Sequence, residues 1–163
     1  MKKIVTLILT ISLFSCQQHN SNNETNLQNR IDSLETKLAE TYKPGFGEFM
    51  GYVQAHHAKL WYAGENNNWD LAKFEIDEIK ETMDAIKQYE TDRKETQLLP
   101  MIYPALVSVD SAIDKKDPSL FKSSFTTLTN TCNACHQAAQ FGFNVVKVPE
   151  DQMFSNQDFK PRK

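Results

Sequence analysis

The stretch Cys132-Asn133-Ala134-Cys135-His136 lies close to the end of the chain. Two thiols at this spacing fall on one helical turn, where they can add to the two vinyl groups of a porphyrin. The adjacent imidazole can then bind the iron, so C-x-x-C-H reads as a c-type haem attachment signal. Only 27 residues follow His136 (163 − 136). Whatever fold carries the motif must therefore be built almost entirely from what precedes it. Two other uses of the spacing fit less well. A zinc site needs two further ligands, and no thiol is left for it. A thioredoxin-like pair wants a strand before its helix, and none is visible.

The remaining thiol, Cys16, belongs to a different pattern. Lys2 and Lys3 precede an apolar run from Ile4 to Phe14, and Leu13-Phe14-Ser15-Cys16 closes it. This resembles a bacterial lipobox, with residues 1–15 as a signal peptide and Cys16 as the lipidated residue; the other reading is an ordinary secretory signal with an incidental Cys. The run falls short of the roughly 20 residues of a membrane span. With Cys16 lipidated and Cys132 and Cys135 on haem, the chain has no thiol left for a disulfide. Export also agrees with haem attachment, which bacteria perform outside the cytoplasmic membrane. The expected location is thus extracytoplasmic, periplasm-facing and membrane-anchored. A net charge of −3 indicates neither a nucleic-acid footprint nor a polybasic membrane patch.

The mature chain reads as helical throughout. Residues 16–44 comprise a polar tether, Gln17 to Thr25, and a short heptad helix in which Leu27, Ile31, Leu34 and Leu38 form an a/d seam. Two heptads do not sustain a coiled coil alone. The segment is either a stalk packing on the domain or a seam joining copies into a homo-oligomer. Pro44-Gly45 breaks it. A helix then places Phe46, Phe49, Met50, Val53, His57, Leu60 and Trp61 on one face. Asn68 caps a second helix from Trp69 to about Tyr89, carrying Leu71, Ala72, Phe74, Glu75, Ile76, Ile79, Met83 and Ile86. A charged loop, Glu90 to Gln97, leads to a third helix with Met101, Ile102, Leu106, Val109 and Ile113. Asp117-Pro118 starts a fourth, which buries Leu120, Phe121, Phe125 and Leu128 and reaches the motif. The expected fold is all-α: an up-down-up-down antiparallel four-helix bundle over residues 45–143, preceded by the stalk helix and followed by a tail, 144–163. Asn144 to Val148 is the one stretch with a strand-like period.

A mitochondrial-type cytochrome carries its motif near the N-terminus, with most of the chain following. Here the order is reversed. A haem hung from the last helix of four is the layout of the class II cytochromes c, and the chain resembles that cytochrome c′ family from about Phe46 to Phe143. His57-Ala58-Lys59-Leu60-Trp61, Asn68-Trp69-Asp70-Leu71-Ala72 and Phe154-Ser155-Asn156-Gln157 also look like a less characterised group of bacterial haem proteins with this layout.

The resemblance implies one covalently attached haem c, with His136 as its proximal ligand. It also implies a haem between the first and fourth bundle helices, which puts the distal position near the start of the first. Met50 stands there. His57 is seven residues further, roughly 10 Å along the axis at about 1.5 Å per residue, so the two cannot serve one iron. Met50 either ligates the iron through its thioether, which suits electron transfer, or is a core methionine. His57 either ligates or, buried, hydrogen-bonds a haem propionate or a carboxylate such as Glu75. His56 is expected nearer the surface. The implied function is a membrane-anchored, non-enzymatic carrier of single electrons between redox partner proteins. The alternatives are a five-coordinate haem protein binding or sensing small gases such as NO and CO, and a haem-stabilised structural or assembly module using the Leu27–Leu38 seam. No distal His–Arg pair of a peroxidase is evident.

Overall fold

The computed structural model describes residues 15–41 and 44–162, with side chains described over 23–40 and 44–162. Residues 1–14, which hold most of the signal peptide expected over 1–15, and the side chain of Cys16 lie outside the described residues. The chain divides into two units, Met1–Lys43 and Pro44–Lys163. The described residues are all-helical, with no strand, and Asn144 to Val148 is extended without strand pairing.

In the first unit, α1 runs unbroken over Ser15–Thr41. It therefore takes in Gln17 to Thr25, which the composition had marked as a flexible tether. No Gly or Pro interrupts this stretch. A helix nucleated over the leucine seam extends backward because each added residue gains a backbone hydrogen bond.

The second unit contains α2 (Phe46–Glu65), α3 (Trp69–Tyr89), a 3-10 helix (Glu95–Met101), α4 (Tyr103–Asp114) and α5 (Pro118–Ala138). In this helical bundle α2 packs on α3, α3 on α4 and α4 on α5, while α5 also meets α2. Leu60, Ile76, Ile79, Ile86, Leu106, Val109, Phe121, Phe125 and Leu128 fill the core. Two apolar residues at helical spacing, Phe74 and Met101, are on the surface. Met101 ends the 3-10 segment, which follows three residues per turn around Pro100 and so shifts the face that a regular helix would have buried.

The links are short because single residues serve two helices. Asn67 takes the left-handed conformation (φ 56°), and the N–H of Asn68 reaches back to the Ala63 carbonyl at 2.9 Å. That bond, with Asn67 N–H on the Gly64 carbonyl at 3.0 Å, closes α2 in a Schellman motif. The Asn68 side chain then accepts from Leu71 N–H at 3.3 Å and caps α3. Lys116 (φ 52°) and Asp117 repeat the device between α4 and α5, where Asp117 Oδ1 accepts from Ser119 N–H and Leu120 N–H. Gly64 is required for another reason: a Cβ there would collide with the Phe121 ring.

The segment after α5 packs back on the bundle. Phe159 is buried against Tyr62, with ring centroids 5.3 Å apart. Tyr62 donates its hydroxyl to the Asp151 carbonyl, and Asn68 Nδ2 donates to the Phe159 carbonyl at 3.2 Å.

Candidate functional site

Helix α5 brings Cys132, Cys135 and His136 to its last turns. Thr126, Thr127, Thr129 and Thr131 each donate to the carbonyl four residues back, which satisfies their hydroxyls within the helix. The helix closes in a third Schellman motif. Gln140 is left-handed (φ 65°), its N–H bonds the Gln137 carbonyl at 3.0 Å, and Phe141 N–H bonds the His136 carbonyl at 2.7 Å. This turn sends the chain back over the end of the helix.

The returning backbone is pinned twice. His136 Nδ1 lies 2.7 Å from the Asn144 carbonyl oxygen. A carbonyl only accepts, so Nδ1 carries a proton in this bond, and in the neutral ring Nε2 then keeps its lone pair. Asn133, between the two cysteines, clamps Val146 through both backbone groups. Its Nδ2 donates to the Val146 carbonyl and its Oδ1 accepts from Val146 N–H, each at 2.8 Å. A partner that fixes the outer nitrogen of a metal-binding histidine sets both tautomer and ring orientation.

Both cysteines are free and half-buried. Burial pushes the Cys132 thiol up to about 12, helped by the neighbouring Cys135, and burial also raises Cys135. Redox-active or metal-caging pairs depend on thiolates favoured by their surroundings. These surroundings favour the neutral thiol. Among the described residues no group of three or more His, Cys, Asp or Glu gathers as a metal cage. A porphyrin brings its own equatorial nitrogens and asks the chain for less. Two neutral thiols on one turn and an imidazole with an open Nε2 fit that smaller demand. Phe143 and Val145, just beyond, are 82% and 71% exposed, and Phe141 packs edge-on against Phe143 at 5.8 Å. Apolar rings left open beside these donors suit a flat apolar ligand.

Met50 is half-buried on α2 and packs against the core beside buried Phe49. His57 is 4% exposed, its ring 4.4 Å from Phe125, and its Nε2 lies 2.9 Å from Thr129 Oγ1. Thr129 donates its proton to the Phe125 carbonyl, so it accepts from His57, which fixes the Nε2–H tautomer. Burial lowers the His57 pKa to about 4 and keeps the ring neutral.

The carboxylate expected for His57 goes to its neighbour. His56 Nδ1 lies 2.6 Å from Glu75 Oε2, and Glu75 is 1% exposed. Adjacent residues on a helix point about 100° apart. His57 turns toward α5 and His56 toward α3, so the two rings cannot share one partner. Lys59 lies over the Phe154 ring at 5.3 Å, and Met153 is exposed. Trp61 stacks on Phe121 and meets Phe125 at a tilt, and Trp69 meets Phe121 edge-on.

Asn133, Asn144 and Thr129 escaped the sequence reading. Asn133 alone left a trace, because an Asn inside a helix is a poor helix former and calls for a tertiary reason. No helix among the described residues is long and apolar enough to cross a membrane. No protein-family model, no curated protein and no solved structure matches the chain.

Proposed function

We propose that this chain is a monohaem c-type cytochrome that carries single electrons between redox partners, held by lipid on Cys16 at the extracytoplasmic face of a membrane. The observation that carries the reading is the His136–Asn144 bond. It commits the outer nitrogen of the imidazole and leaves Nε2 open on the turn that bears both thiols. Cys132 and Cys135 would hold the haem covalently, each by adding its S–H across one vinyl double bond. When bound, haem supplies a one-electron ferric–ferrous couple.

The contacts between α2 and α5 support the finer reading of the fold, in which these helices run antiparallel within an up-down-up-down bundle. Glu65 pairs with Lys122 at 2.9 Å, Trp61 meets Phe125 at 4.9 Å, and His57 bonds Thr129 at 2.9 Å. Positions fall along α2 as they rise along α5. Seven residues before His57 stands Met50, and seven after Thr129 stands His136; both pairs sum to 186 (57 + 129, 50 + 136). This register supports Met50 as the residue opposite His136, where its thioether would raise the potential. His57 is already committed to Thr129 and acts as a neutral buried post.

One observation favours a second reading. Met50 packs against the apolar core, and if it stays there the distal side is apolar and open to small gases. Optical spectra of the ferric and ferrous protein separate the two. A weak far-red ferric band marks methionine ligation. Its absence, with ready CO binding to the ferrous form, would transfer the assignment to gas binding.

A further inference from the structure

The seam of α1 is exposed. Leu27, Ile31, Leu34 and Leu38 are 58%, 46%, 62% and 74% exposed. With these residues at d, a, d and a, Arg30 falls at a g position and Glu35 at the following e position. Neither forms an ion pair with any of the described residues. In a parallel two-stranded coiled coil, g of one chain meets the next e of its partner. Arg30 would then meet the partner's Glu35, twice over by symmetry. An antiparallel pair would instead bring g against g, Arg30 and Lys37 facing like charges. The apolar choice agrees with the charges, since Ile31 at a with Leu27 and Leu34 at d favours two parallel strands.

We propose that α1 is a parallel, in-register self-association surface whose occupant is a second copy of this chain. The seam spans roughly 17 Å from Leu27 to Leu38 at about 1.5 Å per residue, too short to hold two chains together in dilute solution. Here the inference rests on the anchor reading above. A lipid at Cys16 holds both N-termini on one surface, which imposes the parallel sense and raises effective concentration.

The test uses the full chain in its membrane, with donor- or acceptor-labelled copies at equal surface density. Energy transfer is read against density. Arg30→Glu sets a second carboxylate against the partner's Glu35 and should raise the density needed for half-association about tenfold. The double variant Arg30→Glu/Glu35→Arg restores the complement and should return to the parent value. Both changes are on the solvent surface of the helix, so folding is not at issue. Equal transfer in all three chains would overturn the parallel register, and random transfer in the parent would overturn the interface itself. Failure of the anchor reading would show separately, as label in the soluble fraction.

Discussion

His136 donates its Nδ1 proton to the backbone carbonyl of Asn144 at 2.7 Å, across the turn that ends α5. Asn144 is itself placed by Asn133, which holds Val146 two residues on through a pair of 2.8 Å hydrogen bonds. The motif therefore contains its own positioning device. Asn133, one of the two residues between the cysteines, keeps the chain where the histidine needs an acceptor.

Asn133→Ala removes both bonds to Val146 and should cost about 1–3 kcal/mol of stability. It should also free the imidazole of His136 to rotate, so that the loaded protein shows a shifted reduction potential by voltammetry. Asn133→Asp keeps the acceptor for Val146 N–H but loses the donor, and should fall between parent and Ala. An unchanged potential in the Ala variant would remove the positioning role.

Met50→Leu conserves volume and should change stability by less than about 1.5 kcal/mol. Haem attachment should be unaffected, while the far-red ferric band disappears and the ferrous form binds CO. Retention of that band would assign the distal position to another residue.

Burial holds the His57 pKa near 4 in the folded chain, against an ordinary value of 6.5. Between these values the unfolded chain takes up a proton that the folded chain refuses. Stability should be full above pH 6.5 and fall as pH drops toward about 4, by about 3 kcal/mol in all. Denaturant titration across this range should show the slope, and His57→Gln should flatten it. Gln also loses ring packing on Phe125, so its stability near neutrality should be lower throughout.

Thiol reactivity should differ between the two cysteines of the folded, haem-free chain. With Cys132 pushed up to about 12, only about one thiol in ten thousand is ionised near pH 8. Cys135, more open and less shifted, should alkylate first, and the Cys132 rate should climb with pH. Equal rates, followed by mass spectrometry of the labelled peptides, would contradict the burial argument.

The features legible in the sequence were local ones. Asn68 and Asp117-Pro118 are cap signals whose chemistry acts within a few residues, and both start helices where expected. The apolar periods of α2, α3 and α5 depend on spacing alone, and their buried faces follow. What was hidden depends on distant partners. The choice between His56 and His57 for Glu75 turns on which side of α2 faces α3, a matter of one helical step. The return of the tail rests on Asn133, Tyr62 and Asn68 holding backbone atoms far along the chain, contacts that leave no periodicity. Phe74 and Met101 sit at helical spacing yet face solvent, because an apolar period marks a face without saying what covers its edges.

The most direct test of the central claim is the intact mass of the exported chain under denaturing conditions. The account predicts the polypeptide, its lipid and one haem that stays attached after unfolding, with the haem lost when both Cys132→Ser and Cys135→Ser are made. A chain without haem, or with haem that leaves on denaturation, would contradict it.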